Sequence, residues 1–299
     1  MTNILGKSEK RFQVIIHIIL IFMALAAILP LWVLVAGSVT GEQELILEGY
    51  SLIPKTFSLD AYKYLFYKAS EIFRAYGITV FITVVGTAAS LFITPLLAYP
   101  LSRKDFKARN IFSFLVFFTM LFNGGIVPSY IMWTRIFHLK NTITALILPG
   151  LLMNGFNVIL MKNYFAQNIP AELIEAAKMD GAGEFKIFFK MILPLSLPIM
   201  ATVGLFVGIG YWNDWTNGLY YVTDAKLYSL QNLLNRILQD VQFLNSSTMT
   251  NAGVAATTQM PSVSIRMAIS VVGILPIMVL YPFFQKYFVK GIAVGAVKG

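Results

Sequence analysis

Long apolar runs alternate with short polar segments along this chain, and the runs have the length of membrane crossings. Six of them, near residues 13–38, 76–101, 111–133, 143–161, 194–213 and 267–285, are long enough to cover about 30 Å of hydrocarbon. Inside them His17 is the only ionisable side chain. A charge at mid-span costs roughly 2.5 to 3.5 kcal/mol on insertion, so spans require its absence. The pattern predicts an all-α polytopic membrane protein: a single domain over 1–299 with six transmembrane helices.

The polar segment 163–192 interrupts this rhythm and carries its own helical signals. Pro170 suits the first position of a helix, where its missing N–H costs nothing. Gly181 suits a stop, because it accepts the left-handed conformation that ends helices. A second short helix is predicted from Glu184 towards Pro194. On the first helix Leu173, Ile174 and Ala177 share one face, and Glu172, Glu175, Ala176 and Met179 share the other. One face can rest on the membrane domain while the other offers two carboxylates and a small residue to a partner.

The remaining connections are simpler. A first loop, 39–75, carries Tyr62, Tyr64, Phe66 and Tyr67, which suit the headgroup level of a bilayer. Short turns follow at 102–110 and around Arg135 to Lys140. The longest loop, 214–266, begins with an amphipathic stretch in which Leu230, Leu233, Leu234, Ile237, Leu238 and Val241 recur at helical spacing. Its second half, 245–264, is small and polar and is expected to be a mobile loop. The basic tail Lys290–Gly299 is expected to be flexible. No internal repeat or separate soluble domain is evident.

Composition agrees with a bilayer: 57% of residues are hydrophobic and only 12% charged, against about 25% charged in soluble domains. Charge then orients the chain. With both termini cytoplasmic, the inner segments hold fourteen of the 23 Lys and Arg and six acids, leaving +8 inside. Outside, nine bases face eight acids. Lys and Arg prefer the cytoplasmic side, so the 163–192 loop faces the cytosol. The net charge of +9 therefore reports topology rather than nucleic-acid binding. Lys7, Lys10 and Arg11 before an apolar run also allow a signal peptide, with Val35-Ala36-Gly37 as a loose cleavage site. The run is, however, well beyond the roughly 7 to 15 residues of a signal core. Without cysteine, no disulfide or thiol chemistry is available.

Ion-coupled transporters keep acids, histidines or lysines inside their spans. Here only His17 qualifies, near the inner end of the first span, where a solvated interfacial histidine and a proton relay are the two readings. Gly6-Lys7-Ser8 matches only the end of a phosphate loop, with no strand before it. A polytopic protein with neither coupling groups nor a nucleotide site, yet with an acidic helix in the cytosol, is economically driven by a separate ATPase. A secondary transporter or channel subunit, and a non-transporting scaffold, are the alternatives from other classes.

Weaker candidates line a substrate pathway. Asn123 beside Gly124-Gly125, and Asn154 and Asn157 after the Pro149-Gly150 break, put amides within or near the third and fourth spans; helix-to-helix bonding explains them as well. Gly204 and Gly208 form a small-xxx-small pair suited to helix packing. Tyr211, Trp212, Asn213, Asp214 and Trp215 close the fifth span. Trp faces stack on sugar rings and a carboxylate accepts hydroxyl hydrogen bonds, but interfacial anchoring fits equally.

Glu175-Ala176-Ala177, Gly181 four residues on, and Leu193-Pro194 resemble the EAA signature of permease subunits in binding-protein-dependent ABC importers. Ile169-Pro170-Ala-Glu-Leu and Lys178-Met-Asp180-Gly181-Ala182 resemble the sugar-importing branch, similar to the smaller permease subunit of the maltose type. Asn141-Thr142 to Pro149-Gly150, and Leu205-Phe206 to Asn213, resemble the LplC/YtcP-like subgroup linked to complex polysaccharide fragments. Met191 stands where the family usually has isoleucine and fills similar apolar space.

The resemblance implies a MetI-like permease core and a transport subunit that is not an enzyme and holds no metal. Its partners would be a second, different permease chain, two ATPase subunits that bind ATP and Mg, and an extracytoplasmic solute-binding protein. A saccharide would be the substrate, with an amino acid, metal chelate or phosphonate as alternatives within ABC importers. The location implied is the bacterial cytoplasmic membrane. The coupling set would be Glu172, Glu175, Ala176, Ala177, Asp180, Gly181 and Pro194. Glu175 would meet a basic group of the ATPase, the two alanines would allow close approach, and Gly181 would set the angle between the short helices. Position alone likens 245–264 to a loop that probes the binding protein, and the tail to a segment that reaches the ATPases.

Overall fold

The computed structural model describes residues 7–250 and 263–296. Among them no β-strand forms; an isolated bridge between Thr40 and Phe57 is the nearest approach to one. Helix α1 (Lys7–Ser38) contains Pro30 and leaves nearly every side chain from Arg11 to Val35 exposed within the chain. Short helices α2 (Glu42–Leu47) and α3 (Asp60–Tyr67) follow. The buried Glu44 carboxylate pins the loop between them by accepting from the Lys55 and Thr56 N–H groups at 3.0 and 2.7 Å. On α3, Phe66 and Tyr67 are exposed, whereas the Tyr62 hydroxyl bonds Ser38 at 2.8 Å.

Helix α4 (Ala69–Ser102) buries Thr79, Ile82, Gly86, Ser90, Thr94 and Ala98 along one face, a run at three- and four-residue spacing. The third apolar run is not one helix. Helix α5 (Arg109–Leu121) is separated from α6 (Ile126–Ile131) and its π-helical continuation Met132–Ile136 by a 111° bend. The cause is local: Asn123 Oδ1 accepts from the Gly125 N–H at 2.8 Å, and Gly125 has φ +84°. An amide side chain that captures a backbone donor competes with the helix ladder. The fourth run is broken as well. Helix α7 (Thr144–Ile147) and α8 (Gly155–Asn168) are separated by Pro149 and by Gly150 at φ +72°. The single helices expected over 111–133 and 143–161 are thus corrected to broken ones.

Helix α9 (Ala171–Met179) and α10 (Glu184–Ile187) form the expected pair in the polar loop. A π-helical turn, Phe188–Ile192, and α11 (Leu193–Leu195) lead to α12 (Leu197–Asn213) across a 79° bend. Beyond it lie α13 (Thr216–Tyr221), a 3-10 turn at Ala225–Leu227, and α14 (Leu230–Thr250). In α14 the residues Leu230, Leu233, Leu234, Ile237 and Val241 are buried, as their spacing predicts. The helix continues to Thr250, so the mobile reading of 245–264 does not hold for its first part; 251–262 lie outside the described residues. Helix α15 (Val263–Ala296) carries the last apolar run. It extends through most of the tail expected to be flexible, of which 297–299 lie outside the described residues.

Among the described residues, two helices, Arg11–Ser38 and Ala69–Ser102, are long and apolar enough to cross a membrane, and up to four crossings result if each bent pair counts as one. The chain divides into two compact units, Met1–Ala69 with Arg236–Pro276, and Ser70–Asn235 with Ile277–Gly299. In the first, Glu42 accepts from the N–H groups of Val263 and Ser264 at 2.8 and 2.9 Å, capping α15. The second holds a continuous core that includes Ile82, Leu146, Met161, Ile187, Ile192, Val203 and Tyr211. Helix α12 lies close on α4 there. A Cβ on Gly204 would stand 3.1 Å from Leu91 Cδ1, and one on Gly208 would stand 3.6 Å from Thr87 Oγ1. The small-xxx-small pair packs helices, as expected of small residues where apolar burial gives no drive inside lipid.

Candidate coupling site

The 170–181 segment folds as its residue types dictate. Pro170 takes the cap position with extended φ and ψ, one residue before the helix rather than within it. At the other end Gly181 has φ +74°. The Ala182 N–H reaches back to Ala177 O at 2.9 Å and the Gly181 N–H to Lys178 O at 3.0 Å, the two bonds of a Schellman stop. Asp180 ends the helix without a side-chain role in that stop. Ile174 and Ala177 are buried, while Glu172, Leu173, Glu175, Ala176 and Met179 are exposed. Leu173 was expected inward but is 38% exposed, because inward positions here recur every three residues. Burial also splits the alanine pair: Ala176 faces out, and Ala177 lets the helix lie close on its own core. Pro194, exposed, opens the short helix after the π-helical turn.

A ring of alternating charges closes the elbow against the end of α4. Arg103, only 15% exposed, forks onto Asp105, with NH2 to Oδ2 at 2.5 Å and Nε to Oδ1 at 3.0 Å. Lys178 Nζ lies 3.4 Å from Asp105 Oδ2 and 2.7 Å from Glu184 Oε1. Glu184 Oε2 returns to Arg103 NH1 at 3.9 Å and accepts from the Tyr99 hydroxyl at 3.3 Å. The Tyr99 ring tilts against Phe188, with centroids 5.4 Å apart. Arg103, Asp105, Glu184, Tyr99 and Phe188 border a cavity of about 420 Å³ whose other walls are Leu96, Pro100, Phe106 and Phe185. The Arg103 fork holds the Asp105 carboxyl down at about 2. The Lys178 ammonium holds Glu184 below the usual carboxylate range, and Glu184 in turn raises Lys178. In the sequence Arg103 and Asp105 have a part only in the charge balance, Glu184 starts a short helix and Lys178 has a place in the family-like stretch, with nothing to pair them. Arg103 and Glu184 are far apart along the chain, so no spacing rule could have joined them.

Each pathway candidate has its own local setting. Asn123 serves the α5–α6 bend, and Asn154 caps α8 by accepting from the Phe156 N–H at 2.8 Å. Asn157 is buried on α8. Tyr211 is wholly buried and its hydroxyl donates to Ile147 O at 2.8 Å. Trp212 is buried, 6.3 Å from the Tyr76 ring, while Asn213 and Trp215 are exposed. Asp214 Oδ1 accepts from the Thr216 and Asn217 N–H groups at 3.1 and 3.3 Å, starting α13, and burial raises its carboxyl. Among the described residues no cluster of three His, Cys, Asp or Glu could hold a metal.

The elbow lies inside the region, residues 92–294, that matches the family described as "Binding-protein-dependent transport system inner membrane component". The chain belongs to this family. It is therefore a membrane-embedded ABC importer permease and not itself an enzyme. Protein LplC of Bacillus subtilis (strain 168) is 44% identical over 274 residues, covering 91% of this chain and 90% of that protein. The polygalacturonan/rhamnogalacturonan transport system permease protein YtcP of the same organism is 41% identical over 293 residues, covering 97% and 99%. Among solved structures, a bacterial ABC transporter involved in the import of the acidic polysaccharide alginate matches with a TM-score of 0.76 and 30% identity, over 96% of this chain and 100% of that one.

Proposed function

We propose that this permease forms half of the translocation pathway for a sugar or oligosaccharide, delivered by an extracytoplasmic binding protein. The names of its relatives, which carry polygalacturonan, rhamnogalacturonan and alginate, support a saccharide. A second permease chain supplies the other half, and two ATPase subunits, with ATP and Mg, supply the work. The chain crosses the bacterial cytoplasmic membrane six times with both termini inside, the broken third, fourth and fifth runs included. The residues proposed for the pathway remain Asn123, Asn154, Asn157, Tyr211, Trp212, Asn213 and Asp214. Buried Tyr211 would act there through packing and the others through their amide, carboxylate or indole groups.

One observation carries the coupling role: α9 presents Glu172, Glu175 and Ala176 outward while Ile174 and Ala177 lock its other side into the core. A short helix that is both anchored and exposed can pass a push inward. Closure of the ATPase pair on ATP would move α9 and rock the membrane helices between inward- and outward-facing states, a rigid-body transition between two packings. Gly181 keeps the elbow's angle, and Asp180 and Pro194 belong to the same coupling set. In the complex reconstituted in vesicles, Glu175→Lys is expected to leave the chain inserted and the ATPase active but to abolish ATP-driven uptake. Wild-type uptake in that variant would contradict the assignment.

A further inference from the structure

We infer that the charge ring of Arg103, Asp105, Lys178 and Glu184 is the brace through which movement of α9 reaches α4, with Asp105 and Lys178 as positioning residues. This rests on the reading of α9 as the docking helix. Two routes leave the elbow. The covalent one runs through the π-helical turn to α12 and passes a 79° bend at Ser196, where a push along one helix axis is no longer aligned with the next. The other crosses space to the end of α4.

Apolar contact alone transmits sliding poorly, because it is non-directional. The ring is directional. Arg103 is set at the first residue after α4, and its planar fork fixes the orientation of Asp105. Asp105 then meets Lys178 on the last turn of α9, and Glu184 at the start of α10 closes back on Arg103. Each charge has opposite neighbours on both sides, so a shear that opens one pair also loads the next. Tyr99 adds a lateral stop through its hydroxyl on Glu184 and its ring on Phe188. From Arg103 the continuous helix α4 leads back to Ala69, and it carries Leu91, Thr87 and Gly86 packed against α12. A push taken up by the ring thus reaches α4 and α12 together, bypassing the bend.

The absence of native cysteine makes a direct test possible. Phe73→Cys places a thiol on an exposed site of the first turns of α4. Its reaction rate with an impermeant maleimide is followed in the assembled complex, with and without Mg and a non-hydrolysable ATP analogue. In the Phe73→Cys parent the nucleotide is expected to change the rate at least about twofold, the signature of a shifted two-state equilibrium. Asp105→Asn and Lys178→Met should each bring the ratio back towards one while the ATPase subunits still copurify. Their combination should be no worse than the stronger single change, because both cut one link. Lys178→Arg should keep the response.

No nucleotide response in the parent, a full response in both neutral variants, or losses that multiply in the double variant would overturn the proposal. Glu175→Lys, run alongside, separates the two readings. If that variant keeps both ATPase copurification and the response, the docking reading fails. If it loses copurification while Asp105→Asn and Lys178→Met respond like the parent, the brace alone fails.

Discussion

Gly86 and Tyr211 share one volume at the crossing of α4 and α12. A Cβ on Gly86 would clash with the Tyr211 ring at Cζ, Cε1 and Cε2, and the Tyr211 hydroxyl, donating to Ile147 O at 2.8 Å, keeps that ring from moving aside. Gly86→Ala should therefore destabilise the protein by about 1–3 kcal/mol through overpacking, despite alanine's better helix propensity. Tyr211→Phe should cost about 1–3 kcal/mol by leaving the Ile147 carbonyl without its donor. Thermal unfolding of the detergent-purified complex checks both. An unchanged midpoint for Gly86→Ala would show that the two helices do not meet this closely.

Gly181 offers a cleaner case, because a Cβ there would meet nothing within 4 Å and yet φ is +74°. The penalty for a side chain is purely conformational, about 1–2 kcal/mol for alanine. Asparagine, which tolerates the left-handed region, should cost less than valine, which does not. The order Gly, Asn, Ala, Val in complex stability and ATP-driven uptake is the expected outcome. Equal behaviour of Asn and Val would mean that the elbow does not use the left-handed stop.

The charge ring sets a pH dependence whose sign follows from the shifts. Asp105 falls from its ordinary 3.8 to about 2 and Glu184 falls below its ordinary 4.5. A depressed carboxyl contributes stability that is complete above its unfolded value and is lost as pH falls through the folded one. The stability difference between the parent and Asp105→Asn should stay constant from about pH 8 to about pH 5 and shrink only below about pH 4. Exposed pairs are worth about 0.2–1 kcal/mol each, so the plateau should be small. A difference that varies between about pH 6 and about pH 8 would implicate another group.

Much of the elbow was legible because its signals are local. Proline before a helix, glycine after it and an apolar residue every third or fourth position each act within a few residues, and Pro170, Gly181, Ile174 and Ala177 stand close to where they were expected. The apolar runs were legible too, but not their breaks. By residue type, Asn123 and Asn154 read as groups that seek partners across the membrane. Instead each satisfies the nearest backbone N–H, a choice that composition cannot reveal.

What stayed hidden depends on distance along the chain. Nothing in Arg103-Lys-Asp105 announces that Lys178 and Glu184 will complete a ring around it, since packing of the helices between them brings the pairs together. Tyr211 read as a pathway residue because it ends a span beside tryptophan. Only the close approach allowed by Gly86 shows that its ring is a packing element.

The central claim is that α9 takes up work from an ATPase on the cytoplasmic side. In the otherwise cysteine-free chain, Glu175→Cys can be labelled with an impermeant maleimide in inside-out and right-side-out membrane vesicles, with and without the ATPase subunits. Under that claim, labelling is expected in inside-out vesicles alone, with protection when the ATPase subunits are bound. Labelling from the outer surface, or undiminished labelling in the presence of bound ATPase, would contradict it.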